Sequence, residues 1–139
     1  MAKQDTYFFR GEGDQWFLRN KDALGSARLD PPLYLVEQYG LRPKTVLEIG
    51  CSNGFRLDAL NKQFGSQAVG VEPALQAIAD GRKKYKKVRF VRGVASKVPL
   101  KEQFDLVIVN YVLHWVSREE FFRALAEIDR LVRPGGHLI

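Results

Sequence analysis

The stretch Val46-Leu-Glu-Ile-Gly-Cys-Ser-Asn-Gly54 decides how this chain is read. Thr45 to Ile49 is a short β-rich run behind Pro43, which marks a strand. The run enters a turn with glycines at positions 50 and 54. Phe55, Leu57, Leu60 and Phe64 then recur at near-helical spacing, and Gly65 follows as a C-cap. A strand delivered into such a turn lets backbone approach a ligand with no Cβ in the way. Glu48 sits at the strand end between two apolar neighbours. Twenty-two residues after Gly50 comes Glu72, at the end of a second strand. A carboxylate there can accept hydrogen bonds from both hydroxyls of a ribose. The dinucleotide fingerprint requires a third glycine or an alanine where Phe55 stands, and no Gly-Lys-Ser/Thr follows the turn. The turn therefore suits a nucleoside without a pyrophosphate.

Working outward, strands and helices alternate. Ala68 to Val71 reads as the second strand, broken by Pro73. Ala74 to Tyr85 reads as a helix with Leu75, Ile78 and Ala79 on its apolar face. Val88 to Val91 is a third strand, and Phe104 to Val109 a fourth, nearly continuous in apolar residues as in a sheet covered on both faces. Ser117 and Glu120 form a capping-box pattern ahead of the stripe Phe121, Leu125, Ile128 and Val132. Pro134, Gly135 and Gly136 end that helix, and His137 to Ile139 opens another strand. This order predicts right-handed βαβ crossovers and an α/β, Rossmann-like parallel sheet with helices on both faces. The sheet is expected to stop at the start of its fifth strand, as in a piece of a longer protein. Residues 1–40 are expected to form an N-terminal helical cap, with helices at Asp14 to Leu24 and Pro31 to Tyr39. Residues 41–139 form the ligand-binding domain. The aromatic-rich segment Tyr7 to Phe17 reads either as a lid or as a cluster sealing the sheet.

Composition narrows the class. With 139 residues, 45% hydrophobic and 27% charged, the chain fits one domain of ordinary globular type. No segment approaches the roughly 18 apolar residues of a membrane span, so no membrane partner is expected. The first nine residues carry no secretory pattern, and Cys51 is the only cysteine. Both point to a cytoplasmic protein. The net charge is +6, and seven basic residues fall between Arg82 and Arg92 with no acid among them. That window reads as a solvated helix end running into a strand, with a nucleic-acid patch as the alternative.

Val46 to Gly54 resembles the first motif of the class I S-adenosylmethionine-dependent methyltransferases, an acidic residue followed by G-x-G-x-G. Glu48, Gly50, Ser52 and Gly54 occupy those positions, with serine at the middle glycine. Gly70-Val-Glu-Pro73 resembles the second motif, whose acid holds the ribose. Gly93-Val-Ala-Ser96 with Val98-Pro-Leu100 resembles the third-strand exit that packs on adenine. Phe104 to Asn110 resembles the fourth strand, and Leu131 to Gly136 the turn before the fifth. The resemblance implies S-adenosyl-L-methionine as cofactor. It also implies a binding set of Glu48, Gly50, Cys51, Ser52, Gly54, Glu72, Pro73, Ala95, Ser96 and Asn110. One position departs from the family pattern. Val94 stands where an acid commonly bonds the adenine amine, which leaves the Ala95 N–H and the Ser96 hydroxyl to serve the ring.

Methyl transfer from a sulfonium is a direct displacement, so positioning dominates and a base is needed only where the acceptor loses a proton. The segment Asn110 to Trp115 lies at the ligand edge of such a sheet, and His114 is the candidate base. Its alternative role is packing at the start of the next helix. No metal site is read from the sequence. The leading expectation is methylation of a small-molecule acceptor. A non-catalytic binding module and an RNA or ribosomal-protein methyltransferase are the alternatives. Glu72→Ala is expected to weaken S-adenosylhomocysteine binding with the apo thermal midpoint nearly unchanged, and Gly50→Val to abolish binding.

Overall fold

A computed structural model describes residues 3–26 and 29–139. Four residues of the expected cap, Met1, Ala2, Ala27 and Arg28, lie outside the described residues. The chain begins with α1 (Lys3–Tyr7), a π-helical turn (Phe8–Glu12), α2 (Gly13–Asn20) and a 3₁₀ turn (Lys21–Ala23). Then come α3 (Pro31–Gln38), β1 (Thr45–Ile49), α4 (Phe55–Phe64), β2 (Gln67–Glu72) and α5 (Leu75–Lys84). The remainder is β3 (Val88–Arg92), β4 (Phe104–Ile108), a 3₁₀ turn (Leu113–Trp115), α6 (Phe121–Leu131) and β5 (Val132–Leu138). The five strands form one sheet in the order β3-β2-β1-β4-β5, and all four pairings are parallel.

The alternation within β1 explains the two-sided covering. Leu47 and Ile49 pack with Val69, Val71, Val107 and the α6 residues Ala124, Ile128 and Leu131. Val46 on the opposite face packs with Val36 of α3, Leu57 and Leu60 of α4 and Ile78 of α5. Period-2 alternation thus sends successive side chains into two separate cores, each roofed by helices. Helix α4 starts and ends as read: Gly54 (φ 79°) and Gly65 (φ 68°) bracket it in left-handed conformations.

Three expectations need correction. Leu75 and Ala79 of α5 are exposed, and the buried face is Ala77, Ile78 and Gly81. A close approach selects that face: a Cβ on Gly81 would lie 2.4 Å from both the Asn53 carbonyl oxygen and the Phe90 ring. The capping box does not form at α6. Glu120 is itself the N-cap residue, the Glu120 N–H donates to the Ser117 carbonyl at 3.0 Å, and the Ser117 Oγ is buried without a partner. The segment closes as a turn one step before the helix. Finally, the helix ends at Leu131, three residues ahead of Pro134, and Val132 already pairs with Phe104 of β4. The chain then bulges through Pro134 to Gly136 and resumes the ladder with His137 opposite Leu106 and Leu138 opposite Val107. The fifth strand is therefore a paired edge strand across a bulge, a device that re-aims a strand without ending it.

Candidate active site at the carboxyl edge of the sheet

Every strand of a parallel sheet points its carboxyl end at the same edge, and there the chain opens a largely apolar cleft. The turn after β1 forms its floor. Gly50 (φ 72°) and Ser52 (φ 51°) both adopt left-handed backbone. The Gly50 and Cys51 N–H groups both donate to the Val71 carbonyl, at 2.8 and 3.2 Å, which locks the turn against β2. A Cβ on Gly50 would lie 2.4 Å from Val112 Cγ2, and one on Gly54 would lie 2.7 Å from the Phe90 ring. The Asn53 side chain accepts from the Phe55 N–H at 3.3 Å and donates to Asp80 at 2.9 Å, tying the start of α4 to α5.

Glu72 ends β2 and faces the cleft. Its two oxygens accept from the Ser52 N–H at 2.8 Å and the Ala74 N–H at 3.0 Å. Burial lifts its carboxyl to about 7 in spite of those two bonds. Beside it the Ser52 Oγ is buried with no partner among the described residues.

Of the residues singled out from the sequence, Gly50, Ser52, Glu72, Pro73, Ala95 and Asn110 line the cleft together. Glu48, Cys51, Gly54, Ser96 and His114 are not among the lining residues. Glu48 is buried under the turn and pairs with Arg56 of α4, which also holds both oxygens of Asp30, the N-cap of α3, at 2.8 Å. Its Oε2 has no partner, and burial raises its carboxyl to about 7 against the pull of Arg56. Cys51 is buried against Gly70 and Leu57, and burial pushes its thiol up, so it is a packed, inert side chain. Ser96 gives its hydroxyl to Asp5 at 2.7 Å. His114 is exposed, with its ring 5.1 Å from that of Trp115.

The sequence reading offered Tyr7 to Phe17 as a lid, one of two alternatives, but named no site residue on the N-terminal helices. Asp5, Phe8, Gly13 and Trp16 all line the cleft. Phe8 meets Trp115 edge-on at 5.3 Å, so the segment before α2 touches the loop after β4. The Asp14 carboxylate accepts from the Gln76 N–H at 2.8 Å and caps α5 from outside that helix. Arg92 donates to the Phe9 carbonyl at 2.8 Å and stacks over the Phe9 ring at 4.5 Å. The hydrogen bonds of Asp14, Arg92 and Ser96 join positions 62 to 91 residues apart, and no local pattern announces them. The aromatic density of Tyr7 to Phe17 was the one signal available.

The basic window also resolves in space. Arg89 pairs with Glu102 and Lys84 with Asp80. Arg82 and Lys86 donate to the Phe90 and Arg82 carbonyls, and Arg92 to those of Pro73 and Phe9. Among the described residues no helix is long and apolar enough to cross a membrane.

The family described as "Methyltransferase domain" matches this chain over residues 47–139. An uncharacterized protein of Haemophilus influenzae is 32% identical over 129 residues, covering 84% of this chain and 51% of that protein. The phthiotriol/phenolphthiotriol dimycocerosates methyltransferase of Mycobacterium leprae is 33% identical over 105 residues, covering 73% of this chain and 38% of that enzyme. The chain thus spans about half or less of the length of these curated relatives. In fold it is similar to a TehB-like methyltransferase of Corynebacterium glutamicum, with TM-score 0.74 and 22% identity over 96% of this chain and 71% of that one. With the turn after β1, the acid ending β2 and a family match from Leu47 to Ile139, the chain belongs to the methyltransferase-domain family of class I, S-adenosylmethionine-dependent enzymes.

Proposed function

We propose that the cleft binds S-adenosyl-L-methionine and that the protein transfers its methyl group to a small-molecule acceptor. The observation that carries this reading is the placement of Glu72. A buried carboxylate at the end of β2, facing the cleft beside an orphaned Ser52 hydroxyl, matches a ligand that presents two adjacent hydroxyls. The residues present fit the nucleoside: glycine at position 50 admits the left-handed turn packed against Val112, and the lining is largely apolar for a planar base. S-adenosylmethionine supplies an electrophilic methyl on a sulfonium. The chain's own task is then to hold the donor still, exclude water and leave the methyl open toward the acceptor. Glu72, Gly50, Ser52, Pro73 and Ala95 do the holding. Glu48 and Gly54 act from beneath, by fixing the turn to α4. Asn110 and the strained Tyr111 (φ 55°) stand at the β4 exit, where the acceptor enters.

A small molecule is favoured over RNA because the basic side chains between Arg82 and Arg92 are largely committed to the protein's own surface. The name of the Mycobacterium leprae relative also gives phthiotriol/phenolphthiotriol dimycocerosates, not a nucleic acid. His114 serves as base only for acceptors that must lose a proton, and it acts from the rim. Isothermal calorimetry with S-adenosylmethionine, S-adenosylhomocysteine and NAD tests the reading. The first two are expected to bind and NAD to fail, and binding of NAD alone would overturn it. Turnover on a panel of acceptors separates an enzyme from a non-catalytic module.

A further inference from the structure

We propose that Asp5, on the N-terminal helix α1, recognises the amine edge of the base of the bound nucleoside, so that the N-terminal segment is part of the ligand site. The proposal rests on the reading of the cleft as a nucleoside site. Asp5 is 7% exposed yet lines the cleft. One oxygen accepts the Ser96 hydroxyl at 2.7 Å, and among the described residues no other donor meets the carboxylate. No Lys or Arg pairs with it there. A desolvated carboxylate with spare acceptor capacity on an apolar wall calls for a donor from the ligand.

The position of that donor follows from the sheet. β2 and β3 are neighbours, so their ends stand about 5 Å apart. β2 has two neighbours; the end of β1 is filled by the Gly50–Ser52 turn held on Glu72 and Val71, so the apolar wall open to a base beside Glu72 is the exit of β3, where Gly93, Val94 and Ala95 line the cleft. That exit is Gly93 to Ser96, and Asp5 is tied to its last residue. Val94 and Ala95 offer no side-chain acceptor there, so an amine on the base meets Asp5. The Ser96 hydroxyl fixes the carboxylate in place and leaves its other lone pairs to the ligand.

The experiment compares S-adenosylhomocysteine with its 6-deamino analogue, which lacks only the exocyclic amine, by calorimetry on the full chain. The wild-type protein is expected to prefer the amine-bearing ligand by about ten- to a hundredfold, as for a hydrogen bond to a charged group. Asp5→Ala should bind the two ligands about equally. Asp5→Asn retains an acceptor for Ser96 and should show an intermediate preference, which keeps the test available if the alanine variant fails to fold. Retention of the full preference in both variants, with S-adenosylhomocysteine still bound, would overturn the role of Asp5 while leaving the cleft reading intact. A purely structural tie would instead lower the thermal midpoint of both variants and leave the preference unchanged. Failure of the wild-type protein to bind either ligand would overturn both inferences.

Discussion

Glu72 answers to two demands at once: it holds the Ser52 and Ala74 N–H groups and faces the cleft, where the proposed ribose binds. Glu72→Ala should cost S-adenosylhomocysteine about ten- to a hundredfold in affinity, the loss of hydrogen bonds to a charged acceptor. The expectation of an unchanged apo midpoint does not survive the structure, because the Ser52 and Ala74 N–H groups lose their acceptor. Removing the side chain also removes a charge that burial disfavours, since the carboxyl sits at about 7. The midpoint penalty of Glu72→Ala should therefore be larger at pH 5.5, where the group is protonated, than at pH 8. An equal penalty at the two pH values would mean that burial of the charge is not costly. Affinity in the wild-type protein should decline as pH falls through about 7, because a protonated Glu72 loses acceptor capacity. At Gly50 the obstacle is the protein itself. Valine there meets both a left-handed φ of 72° and the Val112 methyl 2.4 Å from its Cβ. Gly50→Val should lower the apo midpoint as well as eliminate binding, and a normal midpoint by differential scanning fluorimetry would contradict that account.

Between elements, Arg56 joins β1, α4 and the start of α3 through Glu48 and Asp30. Arg56→Met leaves two acids unpaired, one of them fully buried, and should cost about 3–5 kcal/mol in urea denaturation. Glu48 can escape the cost by taking up a proton, so the loss should be smaller at pH 6 than at pH 8. Helix α5 depends on a residue 62 positions away: Asp14→Ala strips the cap from Gln76 and should cost about 0.5–2 kcal/mol. It also loosens α2 against Ala74 and Ala77, beside the cleft-lining Pro73, so cofactor affinity should fall with it, whereas an unaffected affinity would detach the N-terminal helices from the site. The sequence reading located α4 and β1 to the residue because their signals are local: apolar spacing, flanking glycines and a preceding proline. It misjudged the buried face of α5 because Gly81 reads as a gap in an apolar stripe, while the structure uses that gap to admit Asn53 and Phe90.

For the whole molecule, the titrating acids set opposing slopes. Glu48 and Glu72 have folded values of about 7, above the ordinary 4.5. Stability from their retained protons is complete below the ordinary value and is lost as pH rises toward 7, by up to about 1.4 kcal/mol per pH unit per group. Asp80, Glu102, Asp105 and Glu127 are held below their ordinary values, although burial opposes this for each of them. For Asp80 and Asp105 burial is the largest single influence, outweighed by the sum of their hydrogen bonds and cation partners. For Glu102 and Glu127 hydrogen bonds dominate. Their contribution is present at neutral pH and disappears on acidification. The apo protein should be most stable near about pH 5–6 and weaken toward pH 8, a decline that saturating S-adenosylhomocysteine should reverse by favouring ionised Glu72. A flat profile from pH 6 to 8 would contradict the two buried acids. With five of the seven basic side chains between Arg82 and Arg92 engaged, the chain should also bind RNA weakly and give a shallow salt dependence in a filter-binding titration. A steep slope would restore the nucleic-acid reading.

The sequence by itself determined the alternation of strands and helices, the parallel sheet and the glycine turn after β1, and it marked Glu72. Each strand, helix and turn is written in neighbours within about a dozen residues, where hydrophobic period, turn residues and caps act directly on the backbone, and Glu72 is marked by its spacing from the turn. The tertiary structure alone decided which of the marked residues reach the cleft. Glu48 and Ser96 carry the right chemistry, but one is turned beneath the floor to Arg56 and the other is taken by Asp5. It also decided that α1 and α2 complete the cleft wall. Ser96 and Asp5 are separated by 91 residues, and their meeting depends on how two helices dock against the end of a sheet, which no local spacing encodes.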